Sequence, residues 1–192
     1  MYRRDILAIL GTISFASGCL GNEGRGNGSM DKIVRLESIN ETPDEFGIDI
    51  SIDITRNVIT KDNTAQLEIK LENTGDETPK IGFDTRYPNP IFSIDEQYES
   101  TPEIVLIPPN YSPNRRSDSC WALSRDYQFE GPAMAEETRL EPGEKYSQQY
   151  TLWGHSNNEG CELTGAYDFG RRFNQNDEVF SWMFTLSVEN NQ

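Results

Sequence analysis

Ile48-Asp49-Ile50-Ser51-Ile52-Asp53-Ile54 carries isoleucine at every second position and a polar residue at each position between. A two-residue period puts the four isoleucines on one face of an extended chain and the polar residues on the other. The segment therefore reads as a strand with one buried and one wet face. Ala65-Gln66-Leu67-Glu68-Ile69-Lys70-Leu71-Glu72 repeats the pattern. Near the end of the chain, Phe180, Trp182, Phe184, Leu186 and Val188 alternate with Ser181, Met183, Thr185 and Ser187. That alternation predicts a long closing strand whose aromatic side is the densest part of the core. Shorter strands are expected over residues 32–38, 81–84, 103–107, 147–153 and 165–169. No stretch of ten or more residues repeats apolar positions at helical spacing. Turn residues fall between the strands, with Asn73-Thr74-Gly75-Asp76 after one and Pro142-Gly143 before another. Strands joined in this way build an antiparallel sandwich or barrel.

Two stretches narrow the choice. Leu71-Glu72-Asn73-Thr74-Gly75 closes a strand, and Leu140-Glu141-Pro142-Gly143-Glu144 leads into Tyr150-Thr151-Leu152-Trp153. These pieces resemble ones common in extracellular immunoglobulin-like domains, including the domain family of the bacterial intracellular proteinase inhibitor (BsuPI-like). The resemblance covers about 20 residues. It implies an all-β fold, an immunoglobulin-like antiparallel β-sandwich, and the inhibitor family's activity is not carried over on it. Residues 87–119 fit least, because they hold Pro88, Pro90, Pro102, Pro108, Pro109 and Pro113. Proline has no N–H to give a ladder, so edge strand and loop are expected there. A loop of that length is a candidate functional surface.

The N-terminus has a different character. Arg3 and Arg4 precede an apolar run from Ile6 to Phe15, interrupted at Gly11, Thr12 and Ser14, and Ala16, Ser17 and Gly18 then lead to Cys19. The run is shorter than the roughly 20 residues that span a bilayer. Its charged, apolar and small-residue order is that of an export signal. The segment looks like a twin-arginine leader with a lipobox. That likeness implies that Arg3 and Arg4 select the export route and that Cys19 becomes the lipidated first residue. A rival reading is an uncleaved N-terminal helix, and both readings leave the domain outside the membrane. One acyl chain binds a bilayer only reversibly, so a stable anchor takes two. Residues 20–29 are glycine-rich and polar, which suits a flexible tether. The expected organisation is a signal peptide over 1–18, a lipid-anchored linker over 19–30 and a β-sandwich domain over 31–192.

The 192 residues include 32 acidic and 17 basic ones, a net charge of −15. Beyond residue 18 the count is 31 against 15, or −16. Such a surface repels phosphate backbones and anionic headgroups, so no nucleic-acid partner is expected. Only five of the basic residues are lysines, and this acid-rich, lysine-poor balance resembles proteins of salt-loving archaea. The 8 Tyr, 9 Phe and 3 Trp supply the large buried areas of a folded domain.

Few residues offer chemistry. Besides Cys19 the chain has Cys120 and Cys161, which in an oxidising compartment are expected to form a disulfide. It would close a loop of about 40 residues, for which chain entropy predicts roughly 4 kcal/mol. The rival is a nucleophilic cysteine activated by His155. His155 is the only histidine, which excludes a copper site with two histidines or a catalytic zinc with two or three. It is expected in a solvent-facing loop. Acidic pairs at Asp49 and Asp53, Glu136-Glu137 and Asp177-Glu178 read as solvating charge, with a calcium site or a glycosidase-like pair as the sharper alternatives. Asn27, Asn40 and Asn110 open glycosylation acceptor triplets. No phosphate loop, nucleophile elbow, dinucleotide fingerprint or cysteine-rich metal motif occurs. Neither cofactor, metal nor enzymatic activity is expected. The chain reads as a binding or accessory module anchored to the outer face of the cytoplasmic membrane, with membrane lipid and an envelope protein or saccharide as partners. One alternative is a proteinase-inhibitor-like domain presenting residues 102–113. A second is an extracellular hydrolase working through two carboxylates.

Overall fold

The computed structural model describes residues 31–83, 90–94, 102–111, 113–117, 120–129, 137–156, 158, 163–175 and 178–191. In chain order its strands are β1 (Lys32–Ile39), β2 (Ile48–Arg56), β3 (Val58–Ile59), β4 (Gln66–Asn73), β5 (Lys80–Phe83), β6 (Ile91–Ile94) and β7 (Ile104–Ile107). They continue as β8 (Arg115–Ser117), β9 (Cys120–Leu123), β10 (Glu137–Arg139), β11 (Lys145–Gly154), β12 (Gly165–Gln175) and β13 (Glu178–Asn190). Among the described residues there is no α-helix, only a 3-10 turn at Asp44–Phe46. Each strand expected from the sequence is present, and the 165–169 segment grows to the 11 residues of β12.

Register follows the alternation. Ile50, Ile52 and Ile54 of β2 stand opposite Leu71, Ile69 and Leu67 of β4, and the last of these faces Tyr150 of β11. A slip of one residue would send every one of these side chains to solvent, so burial of one face holds the pairing. The first sheet runs β2-β4-β11-β7, and the second runs β3-β1-β13-β12, with β5 and β10 continuing beyond one end of β12. Their apolar faces meet in one core. Phe180, Trp182, Phe184, Leu186 and Val188 are all buried there, with Phe169 stacked on Phe184 and Phe173 on Phe180, each pair 5.1 Å apart. This is the antiparallel β-sandwich of immunoglobulin-like kind that the alternation and the two motifs predict.

Two strands change sheets and nearly close the sandwich into a barrel. β6 pairs Ile91 and Phe92 with β7 of the first sheet, then Ser93 and Ile94 with β12 of the second. On the opposite side β2 runs through Asn57 into β3, and the Val34 N–H donates to the Asn57 carbonyl at 2.7 Å. Such crossing strands form the corners of a closed sandwich.

Among the described residues of 87–119, β8 pairs with β9 alone and is the edge strand expected there, whereas β7 is not an edge. β7 lies between β11 and β6, and all four of its residues are buried. Pro102, Pro108 and Pro109 fall just outside its ends, so no ladder N–H is missing and proline brackets the strand instead of demoting it.

The two motif stretches come together through one side chain. Asn73, buried at the end of β4, donates from its amide to the carbonyls of Glu77 at 2.7 Å and Leu140 at 2.9 Å. Its Oδ1 accepts from the Gly75 N–H at 2.9 Å. Its backbone accepts from Gly143 at 2.8 Å and donates to Glu144 at 3.0 Å. Gly47 packs against this turn with φ 58°, and a Cβ there would come within 3.2 Å of the Gly75 Cα. Only glycine suits both the left-handed backbone and the close approach.

Candidate functional site

β7 is apolar at every position because it is covered on both sides. Ile104 and Leu106 join the central core, while Val105 and Ile107 point outward and meet Leu123 and Trp153 in a second, smaller cluster. Partly buried Phe92, Tyr111, Trp121, Tyr127 and Phe129 pack around it. They come from β6, β9 and the segments after β7 and β9. Their rings meet edge to face, the arrangement favoured by aromatic quadrupoles. Phe129 lies 5.4 Å from Phe92, 5.8 Å from Tyr111 and 5.1 Å from Tyr127, and Trp121 lies 5.0 Å from Trp153.

Polar groups fix the rim of this aromatic face. The Arg115 guanidinium sits 4.1 Å from the Trp121 ring centroid, a cation–π geometry, and donates to the Lys61 carbonyl at 3.0 Å. The Trp121 indole donates to the Thr60 carbonyl at 2.7 Å, and that of Trp153 to the Thr151 hydroxyl at 2.9 Å. Arg116 donates to the carbonyls of Ser156, at 2.8 Å, and Asn158. His155 is not the solvent-facing residue expected. It is half-buried with its ring edge-on to Phe92 at 5.8 Å, its backbone N–H donates to the Glu103 carbonyl at 2.8 Å, and burial pulls its pKa below the ordinary histidine value. His155 does lie in the loop just past β11, but it is drawn inward because Trp153, two residues earlier, pins the end of that strand into the aromatic cluster.

A family description, a domain of unknown function (DUF8130), matches residues 1–189. The chain belongs to the DUF8130 family. No curated protein and no solved structure matches it.

The other residues singled out in the sequence are dispersed across this DUF8130 fold. Arg3, Arg4, Cys19 and Asn27 lie outside the described residues, as does Cys161. Cys120 opens β9 and is buried. Asn40 and Asn110 are exposed, with the Asn40 N–H donating to the Met183 carbonyl at 2.9 Å. Asp53 shares Lys70 with Glu68 on the wet face of the first sheet, and Glu72 pairs there with Lys145 at 2.7 Å. The Asp49 and Asp53 pair thus belongs to a solvated charge ladder. Glu136 and Asp177 lie outside the described residues. Among the described residues no group of three or more His, Cys, Asp or Glu comes together. Residues 104–107 are buried, so the 102–113 segment is not the continuous exposed loop that a protease cleft would accept.

Sequence reasoning missed the aromatic face. Its members share no period, and the only signal was the density of Phe, Tyr and Trp over 92–129.

Proposed function

We propose that the protein is a lipoprotein held at the outer face of the cytoplasmic membrane through Cys19, and that its sandwich is a binding module for a neutral saccharide. The reading rests on the aromatic face built from Phe92, Tyr111, Trp121, Tyr127 and Phe129, with Arg115 beside it. Sugar rings present an apolar C–H side that packs on aromatic rings, and their hydroxyls need polar neighbours such as tyrosine tips and an arginine. Aromatic residues that are partly buried give contact area at little entropic cost, since their rings are already held. The charge of −15 argues against acidic polymers. A Cys120–Cys161 disulfide under this face belongs to the same proposal. It is supported by the burial of Cys120.

Titration calorimetry against a panel of neutral and acidic oligosaccharides tests the binding reading. A neutral sugar should bind, and Trp121→Ala or Tyr127→Ala should weaken it about tenfold or more. Tyr111→Ala serves as a second variant if loss of Trp121 disturbs the β8–β9 hairpin. Binding that survives all three substitutions, or a preference for acidic sugars, would reject the assignment, and capture of a defined envelope protein through the same residues would replace it.

A further inference from the structure

Asn110, Tyr111 and Ser112 make one of the three Asn-x-Ser/Thr triplets in the chain, and the fold treats these triplets unequally. Pro108 to Tyr111 form a β-turn directly after β7, closed by the Tyr111 N–H donating to the Pro108 carbonyl at 3.1 Å. Pro108 is buried and Tyr111 is half-buried in the aromatic cluster, so both ends of the turn are held. Pro109 and Asn110 stand exposed at its tip. Proline suits the second position of such a turn because its ring fixes φ. Asn110 is thus presented to solvent on a turn of defined shape, the surface-loop placement that a glycosylation acceptor needs.

Asn40 is exposed too, yet its surroundings differ. Its N–H donates to the Met183 carbonyl at 2.9 Å, which ties it to the end of the β1–β13 ladder. The hydroxyl of Thr42, the third member of its triplet, is buried. A transferase must engage that hydroxyl as well as the asparagine amide, and in the folded domain it is out of reach. Asn27 lies outside the described residues.

We propose that Asn110 carries an N-linked oligosaccharide and that Asn40 does not. The donor is a lipid-linked glycosyl phosphate at the outer face of the membrane. Its anomeric C–O bond breaks as a C–N bond forms to the Asn110 Nδ2, the lipid phosphate leaves with the bonding electron pair, and one amide proton passes to a base of the transferase. The sugar then projects beside Tyr111, at the rim of the aromatic face. The inference rests on the export reading, because the donor is met outside the membrane, and not on what the aromatic face binds.

Peptide mass mapping tests it, on protein from the membrane fraction of its own host and on chains that begin at residue 19. The tryptic peptide over residues 87–115 should carry mass in whole sugar increments, and the one over 36–56 should carry none. Asn110→Gln should lose the increments. Ser112→Ala keeps the asparagine, removes only the hydroxyl and should lose them equally, whereas Ser112→Thr should retain them. A bare 87–115 peptide, sugar on the 36–56 peptide, or increments that survive Ser112→Ala would overturn the proposal and leave the export reading intact. Chains that all keep residues 1–18 would overturn the export reading and this proposal with it.

Discussion

Asn73 shows how much of the fold can depend on one amide. Its side chain makes three hydrogen bonds inside the protein, and it joins the end of β4 to the turn after it and to the 140–144 stretch that leads into β11. Replacing it with alanine leaves the Glu77 carbonyl and the buried Leu140 carbonyl without the amide's hydrogens, while the Gly75 N–H keeps the Gly47 carbonyl at 3.1 Å. Asn73→Ala should therefore cost about 3 kcal/mol and lower the melting temperature by about 9 °C. Calorimetry on the two proteins decides this, and a shift below about 2 °C would mean that water replaces the amide. The turn itself was legible in Asn73-Thr74-Gly75, but not the amide's reach, since Leu140 lies far along the chain. Tyr150 carries a second residue-scale consequence. Burial pushes its pKa up to about 12, against an opposing pull from Arg171. The unfolded chain loses this proton near pH 10 while the folded one keeps it, so the contribution is full below pH 10 and is lost as pH rises from 10 to 12. The loss amounts to roughly 2–3 kcal/mol. Urea midpoints at several pH values should fall more steeply for the wild type than for Tyr150→Phe across that window, and parallel slopes would contradict the assignment.

Among the elements, length decided what could be read. β2, β4 and β13 hold long alternations, and their burial agrees with the period position by position. β3, β6, β8, β9 and β10 span two to four residues each, too few to distinguish alternation from chance. β7 was visible as an apolar run, yet its central place was hidden by the prolines around it. The outer aromatic face escaped because neighbouring strands and turns each contribute one or two rings, and only the closed sheet brings them together. The β8–β9 hairpin that carries Trp121 begins its second strand at buried Cys120. If the proposed Cys120–Cys161 bond ties this hairpin down, it removes loop entropy from the unfolded chain worth about 4 kcal/mol. Reduction should then lower the melting temperature by about 12 °C in the wild type and leave a Cys120→Ala, Cys161→Ala double variant unmoved. Equal responses to reductant in the two proteins would remove the bond from the proposal.

For the molecule as a whole, charge and attachment are linked. Ion pairs among the described residues, such as Lys70 with Asp53 and Lys145 with Glu72, are on exposed or half-exposed side chains, where each contributes little. They leave the large acid excess uncompensated, and the domain is repelled by anionic headgroups. An acidic domain of this kind would not settle on a membrane by its own surface, and among the described residues no helix is long and apolar enough to cross one. The proposed anchor at Cys19 supplies attachment without contact. Anchored there, the domain would be kept at the membrane with its aromatic face free to meet a partner. Intact mass of the protein from the membrane fraction of its own host, beside a Cys19→Ser version, tests the anchor. The native chain should begin at residue 19 with added lipid mass, and the variant should lack that mass and leave the membrane fraction. If both chains keep residues 1–18 and neither carries lipid, the leader is an uncleaved helix or no export signal, and the disulfide loses the oxidising compartment on which it depends.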